Sequence, residues 1–144
     1  MQTKITMALA GLFAGAALHA QETRIESSAL PKEASSFLTQ HFGDNTIRRA
    51  VKDTEGSRHT FEVRLTDGTE IEFNSDGSWH EIDGNGKVVP ASLIPNAIAD
   101  YTTRNYPQAK ITKIERSSRR IDIDLDNGTE LEFDSNGKFL RIDR

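Results

Sequence analysis

The sequence predicts an α+β fold: one antiparallel sheet of about eight strands, with two helices on a single face. Three observations carry this. The run Leu65-Thr66-Asp67-Gly68-Thr69-Glu70-Ile71-Glu72-Phe73-Asn74-Ser75-Asp76-Gly77 returns 60 residues later as Leu125-Asp126-Asn127-Gly128-Thr129-Glu130-Leu131-Glu132-Phe133-Asp134-Ser135-Asn136-Gly137. A stretch of apolar residues at helical spacing, opening on proline, precedes each copy. The strand-like runs alternate apolar and charged residues, as a sheet does when one face is buried and the other wet. An internal duplication constrains architecture more than any single residue does, and it is architecture before it is chemistry.

The first 20 residues stand apart. Met1-Gln2-Thr3-Lys4 leads into an uncharged run from Ile5 to Leu18, and Ala20 supplies a small residue at the boundary. This predicts a cleavable signal segment over 1–20 and an exported chain from Gln21. The apolar run is shorter than the roughly 20 residues of a lasting membrane span. With no cysteine in the sequence there is no thioether lipid anchor either. No membrane anchor is therefore expected after cleavage. Residues 21–144 are expected to form a single domain of two repeats, about 28–84 and about 88–144. Without disulfides, its stability must come from a packed core.

Each repeat opens with a helix. Leu30, Ala34, Phe37, Leu38, His41 and Phe42 fall near helical spacing, Pro31 sits where a first-turn proline is tolerated, and Gly43 ends the run. In the second copy Ile94, Ile98, Tyr101 and Asn105 recur along one face, Pro95 takes the Pro31 place, and Pro107 closes the segment. Pro31/Pro95, Phe37/Tyr101, Phe42/Tyr106 and Ile47/Ile111 match at a separation of 64, the hairpins at 60. The difference is expected in a loop between about Val51 and Phe61.

Strands are predicted over 46–53, 59–66, 69–74 and 78–83, then 109–116, 120–126, 129–134 and 138–143. Alternation fixes the hairpin turn. A two-residue Asp67-Gly68 loop would set Leu65 against Glu70 and split the apolar rows between opposite faces. A three-residue loop, Thr66-Asp67-Gly68, instead pairs Val63 with Ile71 and Phe61 with Phe73, with Gly68 and Gly128 left-handed. The same register sets Glu62 opposite Glu72 and Arg64 opposite Glu70 on the wet face. In the second copy Asp122 faces Glu132 and Asp124 faces Glu130.

Opposed like charges are unfavourable by a few tenths to about 1 kcal/mol. One reading has Lys113, Arg116 or Arg141 neutralise them from neighbouring strands. The other makes the face a docking surface for a basic partner or a divalent cation. Trp79 and Phe139 occupy matching places on the fourth strands, with Ile82 and Ile142 three residues on. Positions three apart face opposite ways in a regular strand. Either a bulge intervenes or one pair is exposed, and an exposed Trp79 would suit a protein interface.

Signs of chemistry are lacking. His41, His59 and His80 are scattered, with no metal-ligand spacing among them. Asp83-Gly84-Asn85-Gly86 reads as a linker turn, and Ser35-Ser36 sit mid-helix without a candidate base. Asn74-Ser-Asp-Gly and Asp134-Ser-Asn-Gly look like fragments of a calcium loop but lack its ligand order, and turn chemistry accounts for them. Calcium is thus possible but not favoured, and no catalytic residue, cofactor or metal site is assigned. After loss of Lys4 the exported chain carries 17 basic and 22 acidic residues, net −5. That balance argues against nucleic acid or an anionic membrane as main partner.

The doubled pattern Asp/Asn-Gly-Thr-Glu-Ile/Leu-Glu-Phe-x-x-x-Gly-x-Trp/Phe-x-x-Ile-Asp, with the Leu-Pro or Ile-Pro helix start and the signal segment, resembles the PepSY-like family of exported bacterial proteins. The resemblance runs from about Leu30 to Asp143. It implies a tandem fold similar to that of the β-lactamase inhibitor protein and a periplasmic setting, with no catalytic residues to carry over. Fold is shared more widely than function, so it does not by itself imply inhibition of a β-lactamase.

The expected function is a non-enzymatic periplasmic binding module, inhibitor-like toward a protein or hydrolase, acting through the exposed sheet face. The residues assigned to that face are Glu70, Glu72, Trp79, His80, Asp122, Asp124, Glu130 and Glu132. The alternatives are a cation or small-ligand binding protein of the cell envelope using the same acids, and an envelope protein with a structural or stress-related role.

Overall fold

A computed structural model describes residues 21–143. The expected signal segment, 1–20, and Arg144 lie outside the described residues. Nine antiparallel strands form one sheet in strict chain order: β1 (Gln21–Arg24), β2 (Ile47–Glu55), β3 (Arg58–Leu65), β4 (Glu70–Asn74), β5 (Trp79–Asp83), β6 (Ile111–Arg116), β7 (Arg120–Leu125), β8 (Glu130–Asp134) and β9 (Phe139–Asp143). Helix α1 (Lys32–Phe42) falls between β1 and β2, and α2 (Asn96–Asn105) between β5 and β6. A short 3-10 turn precedes each helix, Ser27–Ala29 and Ala91–Leu93. The order turn, helix, four strands thus occurs twice, with β1 outside it.

Pro31 and Pro95 occupy the N-cap positions at φ −52° and −56°, one residue before the first turn where the sequence placed them. Proline suits this place because it has no N–H to leave unbonded and its φ is already set. Beyond it α1 buries Ala34, Leu38 and Phe42, and α2 buries Ile98 and Thr102. Phe37 stands edge-on to Phe73 at 5.8 Å, and its counterpart Tyr101 edge-on to Phe133 at 5.4 Å. Both helices therefore cover one sheet face. Beneath them Ala50, Val63, Ile71, Ile82, Ile114, Ile123 and Leu131 are consecutive cross-strand neighbours from β2 to β8. None of these seven is more than 3% exposed.

The two halves meet at β5–β6 through only three residue pairs: Glu81 with Glu115, Ile82 with Ile114, and Asp83 with Lys113. The chain then turns at Asn85 and Gly86, both at positive φ (49° and 90°), and returns along β6. Gly84 N–H donates to Thr112 O (2.8 Å) and Val89 N–H to Ile111 O (2.9 Å), which fastens the linker to the strand it leads into.

The hairpin register agrees with the sequence in both copies: Val63 pairs with Ile71 and Ile123 with Leu131, while Gly68 and Gly128 take φ of 92° and 84°. One expectation needs correction and another is extended. The extra four residues of the first repeat form no loop; they lengthen the β2–β3 hairpin, with Asp53 to Glu55 paired to Thr60 through Arg58. The sheet also has a ninth strand, β1, laid along that extension. Its sequence, Gln-Glu-Thr-Arg, is exposed throughout and shows no apolar alternation, so only backbone pairing makes it a strand.

The tips of two hairpins reach the helix starts. A β-carbon on Gly77 would lie 2.9 Å from the Cβ of both Pro31 and Glu33, and one on Gly137 would lie 3.0 Å from the Cβ of Ala97. Gly77→Ala adds this overlap to the cost of a side chain at positive φ, whereas Gly68→Ala, facing open space, carries the backbone cost alone. Urea denaturation should show Gly68→Ala losing about 1 kcal/mol and Gly77→Ala clearly more, about 2 kcal/mol or above.

Candidate functional site: the open face of the sheet

Strand alternation sends every second side chain away from the helices, to a face that no described element covers. On that face Glu62, Glu72, Glu81, Glu115, Asp122 and Glu132 are consecutive cross-strand neighbours from β3 to β8, and Arg141 on β9 ends the line. Neighbouring strands lie about 4.8 Å apart, so the row is an unbroken succession of opposed carboxylates. The pairs Glu62–Glu72 and Asp122–Glu132 were legible in the sequence. Glu81 and Glu115, which join them across the seam, were missed. Nothing in either hairpin says which strand of the second repeat β5 will meet. Glu70, Asp124 and Glu130 lie in the next row, with Arg64, Asp83 and Lys113 among them.

A bulge resolves the Trp79 conflict. Glu72 pairs with Glu81 but Phe73 with Trp79, so His80 is an extra residue in β5. Trp79 and Ile82 thereby both enter the core, at 7% and 0% exposure, while His80 and Glu81 share the open face. Trp79 is consequently not a residue of that face. Its ring packs 6.2 Å from Phe37 under α1, the Arg116 guanidinium lies 3.7 Å over it, and Arg116 Nε donates to Trp79 O at 2.9 Å. The same shift recurs in β9, where Phe139 stacks on Tyr101 at 4.6 Å.

Several carboxylates have partners within the face. Glu72 Oε2 lies 2.8 Å from His80 Nε2, and Glu81 Oε1 3.0 Å from Lys113 Nζ. Glu132, 5% exposed, is held by Arg141 at 2.9 Å and by Arg120 at 3.3 Å, and Arg120 also reaches Asp122 at 3.5 Å. Arg64 bonds directly to Glu70. Of the expected neutralisers Lys113 and Arg141 take part, whereas Arg116 is spent on Trp79. Arg120, which bridges Asp122 and Glu132, was missed. Among the described residues Glu62, Glu115, Asp124 and Glu130 form no ion pair.

The titration shifts follow from this crowding. The hydrogen bond from His80 holds the Glu72 carboxyl below its ordinary range. The same bond holds His80 above its own, with Glu81 and Glu115 adding attraction. Burial pushes Glu81 up against the pull of Lys113. Burial also raises Asp122 and Asp124, opposed by Arg120 and Lys113 respectively and reinforced by neighbouring carboxylates. Lys113 is desolvated, yet Glu81, Asp124 and Asp83 keep its ammonium favoured.

This arrangement suits attraction of positive charge. Asp76 accepts from Ser78 N–H at 2.9 Å, and Asp134 from Asn136 and Lys138 N–H at 2.9 Å, so these turn acids are occupied by their own backbones. Among the described residues no group of three or more His, Asp or Glu side chains converges as a metal site would.

The family model described as "Putative beta-lactamase-inhibitor-like, PepSY-like" matches residues 59–141, from β3 through β9. The chain belongs to the PepSY-like family. A solved structure described as a "putative calcium-regulated periplasmic protein" of Bacteroides thetaiotaomicron is 36% identical to this PepSY-like chain, with a TM-score of 0.82, covering 85% of this chain and 97% of that one. Two described as "putative periplasmic protein", from Bacteroides vulgatus, are each 34% identical and cover 86% of this chain, with TM-scores of 0.82 and 0.83 and 98% and 100% of their own lengths covered. The second of these is further described as of unknown function. No curated protein matches the chain.

The His80–Glu72 pair yields a pH prediction. A raised histidine stabilises the fold fully below its unfolded value, about 6.5, and loses that contribution as pH rises through the folded one. A depressed carboxyl contributes above about 4.5 and loses its share as pH falls through its folded value. The two windows overlap between about pH 4.5 and 6.5. Denaturation of His80→Gln against pH should show its largest loss there, under about 1 kcal/mol because both groups are partly solvated, and a loss that shrinks as pH rises through the raised value of His80.

Proposed function

We propose that this PepSY-like protein is an exported, non-enzymatic periplasmic binding module whose uncovered sheet face takes a protein with a basic surface, acting as an inhibitor-like clamp on a hydrolase or similar enzyme. One observation carries the reading: a six-strand line of carboxylates on a face that no described element covers, with Glu62 and Glu115 lacking basic partners among the described residues. Charge left in excess there is an attraction for the complementary sign, and it favours fast, salt-sensitive association. The expected signal segment and the periplasmic descriptions of the related structures support the compartment. The inhibitor-like description of the family supports a role in binding rather than turnover. On this reading Glu62, Glu72, Glu81, Glu115, Asp122 and Glu132 form the contact line, flanked by His80, Glu70, Asp124 and Glu130.

Reversal of the two unpaired acids is the direct test, because neither Glu62 nor Glu115 holds an internal ion pair whose loss would disturb the fold. Immobilised wild-type protein should retain a partner from periplasmic extract at low salt and release it as salt rises. Glu62→Lys/Glu115→Lys should lose at least ten-fold in retention, by the cost of opposing like charges at a complementary interface. Equal retention by the variant, or none by either protein, overturns the reading.

A second reading is favoured by the Bacteroides thetaiotaomicron relative described as calcium-regulated. Here Asp122 and Asp124, whose carboxyls are already raised by burial, would gain from a divalent cation. Calorimetry at millimolar calcium should then give a heat that Asp122→Asn/Asp124→Asn abolishes; a flat titration of the wild type rejects cation binding.

A further inference from the structure

We infer that β9 is an interface for a second copy of this chain, the two β9 strands pairing antiparallel about a two-fold axis at Ile142. The sheet ends differently on its two sides. At one end β1 presents only Gln21, Glu22, Thr23 and Arg24. At the other, β9 carries Leu140 and Ile142, 49% and 42% exposed, two of the large apolar side chains left in solvent among the described residues. Native sheets guard an edge with charge or a cover, and an apolar edge is a pairing site.

The backbone is arranged for it. Leu125 N–H donates to Thr129 O at 2.9 Å, so by alternation Leu131 spends its N–H and C=O on Ile123 of β7. Ile142, opposite Leu131, then directs its own N–H and C=O outward. In the first half the equivalent Ile82 uses those groups on Ile114, which is how the two halves join. The edge that builds the seam in one repeat is thus repeated in the other, where no described strand occupies it.

The seam could in principle extend from molecule to molecule, β9 of one onto β2 of the next. β1 prevents this. Val51 and Ala50 of β2 correspond to Glu115 and Ile114 of β6, and they are already taken, by pairing with Arg24 and by the bond from Ile25 N–H to Ala50 O at 3.0 Å. Head-to-tail addition onto β2 is thus blocked, and the self-complementary alternative at β9 is a closed dimer. Pairing centred on Ile142 is self-complementary: it sets Ile142 against its copy, prolonging the apolar row from Leu131, and it sets Arg141 of each chain opposite Asp143 of the other.

The absence of cysteine permits a clean test. Residues facing each other as a bonded pair lie about 5.5 Å apart at Cα, within the roughly 4.4–6.8 Å of a disulfide. Under mild oxidation Ile142→Cys should form a covalent dimer much faster than Val88→Cys, a more exposed control on the linker. Light scattering should give the mass of two chains for the wild type, and Asp143→Lys should raise the dimer dissociation constant about ten-fold or more. Crosslinking at 142 no faster than at 88, a wild-type mass of one chain, or preferential crosslinking of Ile142→Cys to Glu22→Cys in a mixture would each overturn the two-fold pairing.

Discussion

The β5–β6 seam is three residue pairs long, and everything else in the molecule depends on it. Neither half can bury its apolar sheet face alone, since each brings one helix and four short strands. Ile82 against Ile114 closes the gap between two rows, Ala50–Val63–Ile71 and Ile123–Leu131, and turns them into one ridge under both helices. Full burial of each such side chain stabilises the fold by about 1.5–3 kcal/mol. The return turn at Asn85 and Gly86, with its bonds to Thr112 and Ile111, fixes the register at which this happens. A slip of one residue would carry Ile82 to the wet face and strand Glu81 beneath the helices.

The same register aligns the carboxylates. Because the apolar ridge is continuous, so is the row one position away, and Glu81 and Glu115 are brought together by a pairing whose stability comes from Ile82 and Ile114. The repulsion is tolerated since each contact costs less than the burial that enforces it. It is relieved unevenly: His80 serves Glu72, Lys113 serves Glu81, and Arg120 with Arg141 enclose Glu132, while Glu62 and Glu115 have no ion pair among the described residues. The chemistry of the open face is therefore a consequence of core packing, and its charge excess persists without disturbing the fold.

Local pattern made most of this legible. The helices, the eight repeated strands and the hairpin registers all follow from alternation and from proline and glycine placement, which act within a dozen residues. Features requiring knowledge of a distant neighbour did not follow. β1 has no apolar signature and exists because the extended β2 offers it a backbone edge. The extension itself looked like an insertion loop, since Lys52 to Glu55 lacks clear alternation. Trp79 posed a conflict that a bulge or an exposed pair would equally remove, and the bulge is visible in sequence solely as two apolar residues three apart. Arg116 is drawn away from the carboxylates of the face, because charge and proximity alone do not say that a guanidinium has an indole to cover.

That bulge is where the two copies diverge most usefully. It holds an aromatic residue under each helix, Trp79 or Phe139, and in β5 it delivers two successive side chains, His80 and Glu81, to the opposite surface. Their counterparts in β9 are Leu140 and Arg141. Changing the delivered pair leaves the aromatic anchor untouched, so the wet surface can be rewritten at little cost to the core. In the first copy the pair is polar, and β6 lies on its outer side. In the second the pair includes an exposed leucine, and the sheet ends there. The charged centre and the apolar rim arise from one structural device, used once inside the sheet and once at its margin.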